Sequence, residues 1–331
     1  MQFAKSIAFF IPHLGCPHKC TFCDQRTISH TFKLPDRASI VKGVETAMEQ
    51  GNGQDYEIAY FGGSFTCMSR DLMRYYLEIA ADLIARYGLR GVRISTRPDG
   101  INEDILYYLK KYNVTTIELG AQSMNNGVLK TSSRGHTAED TERASELIQD
   151  YGINLVLQMM AGMPGDTPDG TLETAKAIAE LHPGAVRIYP LLVIKGTELE
   201  KQYEHGTYTP LSLEEAVSLS MTLVRYFKDR HIPIIKLGLH SEQELENGRS
   251  LAAGPYHPAF RELVEGRLLR EEMENKGIRD GAVVLCNPKD VSKVKGHRGE
   301  NERYFIDKYG VHFKCRPSVE IARGKIEIEQ A

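Results

Sequence analysis

The first 240 residues alternate short, β-rich apolar runs with amphipathic helical stretches, and no other feature narrows the fold as far. Runs at 6–11, 57–61, 91–96, 115–120, 153–160 and 185–192, with a weaker one at 232–238, predict strands. Between them, 37–50, 69–87, 102–112, 138–151, 168–181 and 212–230 repeat apolar residues at helical spacing. In 69–87 the apolar stripe is Leu72, Tyr75, Tyr76, Ile79, Leu83 and Ile84, with Ser69 and Asp71 suited to its start and Gly88 to its end. Such alternation builds a parallel sheet from right-handed βαβ units, either doubly wound or an open barrel. In both arrangements functional side chains collect at the carboxyl ends of the strands. After residue 240 the rhythm changes to a helical stretch at 257–275 and β-rich runs at 282–286, 310–315, 319–322 and 325–328. Residues 1–240 are therefore expected to form the core and 241–331 a small α+β appendage.

A net charge of −3 excludes coating nucleic acid or anionic membrane through overall charge. No apolar run approaches the ~20 residues of a membrane-spanning helix. The apolar start is too short for a signal peptide and reads as a buried strand. A cytoplasmic, reducing location is thus expected, where clustered cysteines signify metal more often than disulfides.

Of six cysteines, Cys16, Cys20 and Cys23 fall in one short loop after the first strand, spaced C-x3-C-x2-C; Cys67, Cys286 and Cys315 are scattered. Three thiolates on one loop can hold three irons of a [4Fe–4S] cubane and leave the fourth iron open to substrate. Zinc prefers four closed ligands, which His13 or His18 could complete.

This motif resembles that of radical S-adenosylmethionine (SAM) enzymes. The resemblance implies a partial (β/α)6 TIM-like barrel, a [4Fe–4S] cluster on Cys16, Cys20 and Cys23, bound SAM, and an electron donor such as flavodoxin or ferredoxin. It also implies reductive cleavage of SAM to a 5′-deoxyadenosyl radical that abstracts hydrogen from a substrate. It extends to Gly62-Gly63-Ser64 after the second strand, where the superfamily grips the methionine amino group. By similarity to oxygen-independent coproporphyrinogen oxidases, Gln122 and Arg134 match residues that hold the methionine moiety, and a guanidinium suits its carboxylate. Gln158 matches a ribose-contacting position, Phe22 an adenine-contacting one and Phe10 an apolar one beside the cofactor. Ser95 departs from the acidic residue that relatives carry there, while Arg97 and Asp99 fit either a scaffold pair or a substrate contact. No residue is singled out as catalytic.

Segments 96–99, 118–123, 134–137 and 189–197 resemble the radical domain of the Elongator catalytic subunit, which acts on wobble uridine in tRNA. No room for an acetyltransferase domain is expected before Ala331, nor for a basic arm before the first strand. The Elongator reaction as such is therefore not the expectation, whereas an RNA nucleoside substrate stays open. Lys289, Lys293, Lys295 and Arg298 give 289–298 local positive charge, either for phosphate or simply as a solvated hairpin. Cys67 reads as a reactive thiol or a small filler, and Tyr256 and His257 as a cover for the barrel mouth or a helix cap. Two other readings compete: a non-catalytic RNA-binding or assembly module with a structural metal, and a coproporphyrinogen oxidase-like enzyme.

Overall fold

The computed structural model describes residues 4–11, 14–24, 33–51, 55–239 and 249–331. His13 and the first residues of the expected appendage, 241–248, lie outside these. Seven strands form one parallel sheet: β1 (Lys5–Phe10), β2 (Tyr56–Phe61), β3 (Val92–Thr96), β4 (Val114–Gln122), β5 (Asn154–Ala161), β6 (Ala185–Pro190) and β8 (Ile234–Leu237). They neighbour one another in chain order, which selects an open, singly wound partial barrel over the doubly wound alternative. The weak run at 232–238 supplies the seventh strand, one more than a six-stranded barrel has.

The connecting helices are α1 (Arg37–Gln50), α2 (Arg70–Tyr87), α3 (Glu103–Lys111), α4 (Asn126–Thr131), α5 (Ala138–Asp150), α6 (Pro168–Glu180), α7 (Glu198–Glu204) and α8 (Leu213–Asp229). Their ends follow local chemistry. Ser69 accepts from the Leu72 amide at the start of α2, and Gly88 ends it in the left-handed conformation. Thr137 with Asp140, and Ser212 with Glu215, close capping boxes on α5 and α8. The buried stripe of α2 is Met73, Tyr76, Leu77, Ile79, Ala80 and Leu83. Tyr75, expected inside, is instead 40% exposed, and its hydroxyl accepts from the Arg37 amide at the start of α1.

Beyond β8, the short strand β9 (Leu251–Ala253) pairs antiparallel with β7 (Val193–Ile194). Helix α9 (Phe260–Asn275) leads to a three-stranded sheet of β10 (Val283–Cys286), β11 (Lys314–Pro317) and β12 (Ile326–Glu329), with α10 (Val291–Lys295) and α11 (Glu300–Tyr309) between. The expected strand at 319–322 is a turn, with Val319 exposed. The expected basic hairpin at 289–298 is α10 flanked by single 3₁₀ turns. Two of its four cations are paired within the fold, Lys293 with Asp290 and Glu265 at 2.7 Å each and Lys295 with Glu302 at 3.5 Å. α9 serves two cores: Phe260, Leu263 and Val264 pack with the barrel, Leu269 and Met273 with the appendage. Among the described residues no helix is long and apolar enough to cross a membrane.

Candidate functional site

A cavity of about 1040 Å³ opens at the carboxyl ends of the strands. Period-two alternation turns Ala8 and Phe10, Phe61, Ser95, Gly120 and Gln122, Gln158, then Arg187 and Tyr189 onto this inner face. Below it the barrel interior is polar. Buried Glu118 receives Arg93 and Arg187 at 3.0 Å each on one oxygen and the Gln158 amide at 2.9 Å on the other. Arg93 also meets Glu57 at 2.6 Å, so two acids and two guanidinium groups neutralise one another where an isolated charge would be costly.

The cysteine loop forms one wall, and Cys16, Cys20 and Cys23 all line the cavity as free thiols. The loop is tied down behind by the Thr21 amide on the Ser132 carbonyl and the Leu199 amide on the Thr21 carbonyl. In front it interlocks with the loop after β2. The Ser64 amide donates to the Leu14 carbonyl, Gly63 lies at φ 58° and Gly15 at φ 74°. A Cβ on Gly63 would stand 2.2 Å from the Leu14 oxygen, and one on Gly15 2.1 Å from the Ser64 oxygen. Only glycine fits either place.

Gln122 ends β4 with φ 67°, a strained geometry for a residue with a side chain. Arg134 reaches back over Gly120, donating to its carbonyl at 2.7 Å and to the Cys20 sulfur at 3.4 Å. The Gln122 side-chain oxygen and the Arg134 Nε are both buried without a hydrogen-bond partner. Arg97 grips Asp99 two-pronged, at 2.9 and 3.0 Å, and donates to the Arg134 carbonyl at 2.5 Å. The pair is a scaffold that fixes Arg134. His136 follows: its Nε2–H donates to the Ala121 carbonyl at 3.2 Å, and burial, then Arg134 and Arg97, push its pKa down to about 4.

The structure thus brings together Phe10, Phe22, Gly62, Gly63, Gln122, Arg134 and Gln158 with the three cysteines. Ser64 is not among them. It is fully buried behind the wall, its hydroxyl shared with Thr96 at 2.8 Å and Cys67 at 3.2 Å. Cys67 is a packed thiol at that contact. Ser95 lines the cavity in register with Glu118, whose carboxylate is already committed to Arg93, Arg187 and Gln158. Tyr256 and His257 do not line the cavity; His257 accepts from the Ala259 amide in the turn before α9, which has no side-chain cap. Cys286 and Cys315, far apart in sequence, hydrogen-bond through their thiols on adjacent strands. Arg187, Tyr189 and Lys236 also line the cavity and were not anticipated.

The donor set suits a cubane. Among the described residues no three His, Cys, Asp or Glu side chains converge on a single metal ion. A cubane asks each cysteine for a different iron, which three thiols spread along one loop can supply. Burial foremost, and then the neighbouring thiols, raise the Cys16 pKa and carry that of Cys23 to about 12, a cost that iron coordination offsets. The unpaired Gln122 oxygen and Arg134 nitrogen leave an acceptor and a donor for a zwitterionic ligand beside them.

Residues 10–178 match the radical SAM superfamily and residues 183–270 its C-terminal domain. An uncharacterized protein of Methanocaldococcus jannaschii is 33% identical over 62% of this chain and 67% of its own length. A tRNA uridine(34) acetyltransferase of Methanocaldococcus infernus is 28% identical over 62% of this chain, and the match spans 46% of that relative. Among solved structures, an N-terminally truncated Elp3 of the same archaeon aligns with a TM-score of 0.63 over 83% of this chain and 63% of its own, at 23% identity, a likeness of fold.

Proposed function

Because this chain belongs to the radical SAM superfamily, we propose that it holds a [4Fe–4S] cluster on Cys16, Cys20 and Cys23 and cleaves SAM bound beside it. When bound, the reduced cluster supplies the electron that splits SAM into methionine and a 5′-deoxyadenosyl radical able to take hydrogen from a substrate. The observation that carries this reading is the convergence of three free cysteines, Gln122, Arg134 and the Gly62-Gly63 turn on one cavity.

In this reading Arg134 and Gln122 orient the methionine carboxylate and amine, with Arg97 and Asp99 holding Arg134 in place. The carbonyls around Gly62 and Gly63 accept from the amine. Gln158 keeps its amide on Glu118 and turns its oxygen to the ribose; Phe10 and Phe22 flank the adenosyl group and exclude water. Flavodoxin or ferredoxin is the proposed reductant. An RNA nucleoside, in tRNA, is the substrate class to test first, supported by the relatives named as tRNA uridine(34) acetyltransferases.

Anaerobically reconstituted protein is expected to be brown with about four irons, the content of one cubane. With dithionite and SAM it should release 5′-deoxyadenosine. Release no greater than from a Cys23→Ala control overturns the reading. Deuterium carried from labelled tRNA into 5′-deoxyadenosine would establish the substrate class, and its absence would exclude it.

A further inference from the structure

Part of the cavity wall is built from β6 and β8, where Arg187 and Lys236 are partners in sheet register. Arg187 is spent: it pairs with Glu118 at 3.0 Å, donates to the Tyr189 hydroxyl at 3.2 Å and lies 5.0 Å from the Phe61 ring centre. Lys236 has no hydrogen-bond or ion-pair partner among the described residues, although half-buried in the cavity wall. The charged groups that act on it are Arg187 and Arg261, both of its own sign. Of the carboxylates lining the cavity, Glu198 is paired with Lys201 at 2.9 Å. Burial and these two cations bring its pKa down to about 8. A cation held beside like charges and, among the described residues, without a paired counter-charge is stabilised by an anion entering the cavity.

We propose that Lys236 anchors an oxyanion, a carboxylate or a phosphate, carried by the substrate that shares this cavity. This rests on the reading that the cavity is where the substrate reacts. Arg134, which donates to the Cys20 sulfur, is assigned to the cofactor's own carboxylate; Lys236 lines the cavity from β8 and serves the second ligand. The same lysine also lines an adjoining groove, where Arg261, Lys293 and Arg323 are paired with Glu265 and Asp290.

Pyridoxal 5′-phosphate, an aldehyde that carries a phosphate, tests the anchor on the reconstituted full-length protein. The neutral amine condenses with the aldehyde, water leaves, and borohydride reduces the imine to a stable secondary amine located by peptide mapping. At about pH 8, Lys236 should react on the order of 100-fold faster than a lysine of ordinary pKa. Inorganic phosphate or acetate should protect it, and which of them does so distinguishes a phosphate from a carboxylate ligand. Labelling no faster than at other lysines, failure of both anions to protect, or full protection by SAM alone overturns the proposal. Release of 5′-deoxyadenosine is read separately on the same preparation. Labelling and protection without release would sink the reaction but not the anchor, and release without protection the anchor alone.

Discussion

A neutral imidazole buried between two guanidinium groups makes the pH behaviour of this site readable at a single residue. His136 donates from Nε2, leaving Nδ1 bare and unpartnered, and its pKa falls from 6.5 to about 4. Between those values the unfolded chain carries a proton that the folded chain refuses, so stability should fall as pH drops from 6.5 towards 4, by on the order of 3 kcal/mol. Urea midpoints across that window measure it. His136→Asn keeps a donor for the Ala121 carbonyl without titrating and should flatten the profile; an unchanged slope would place the proton uptake elsewhere. That the cysteines, Gly62, Gly63, Gln122 and Arg134 meet at one cavity was legible because their spacing and order after successive strands carry the pattern. Ser64 was misread, since sequence gives the position of a hydroxyl but not which side of a turn it faces. Arg187, Tyr189 and Lys236 were missed, although a visible signal existed: charged residues at alternate positions inside otherwise apolar strands, as with Glu57, Arg93 and Glu118.

Among the elements, the two loops at the cavity rim form one mechanical unit. Gly63→Ala puts a methyl into the Leu14 carbonyl and forces φ 58° on a residue that resists it. The variant should fold, because the clash lies at the rim and outside the cores, but should bind well under the full iron content after reconstitution. Full retention of iron, assayed together with sulfide, would mean that the loops move apart freely. The barrel strands and six of the eight helices were readable from periodicity to within a few residues, because both signals run uninterrupted there; α4 and α7, six and seven residues long, were not anticipated. In the appendage they are short. α10 is five residues long and was taken for a hairpin because its lysines suggested solvent; Val319 supplied β-propensity in a turn that leaves it 84% exposed.

Over the whole molecule, the barrel and the appendage are coupled through α9, whose two ends belong to different cores. Met273→Ala, fully buried in the smaller core, should cost about 2–5 kcal/mol. It should also loosen the barrel's last strand, because Phe260, Leu263 and Val264 ride on the same helix. Hydrogen exchange at β8 checks this, and protection unchanged there would show two independent units. A boundary at residue 240 was the natural reading of the change in rhythm, yet a single helix joins the two sides and no sequence signal distinguishes a helix with one core from a helix with two.

The reciprocal fit of Gly15 and Gly63 also limits how this protein can vary. Each backbone occupies the room that the other's methyl would need, so neither segment can accept a larger residue unless both are rebuilt together. Two stretches distant in the chain are therefore inherited as one, and a graft of the cysteine motif into another scaffold would have to carry its glycine counterpart with it.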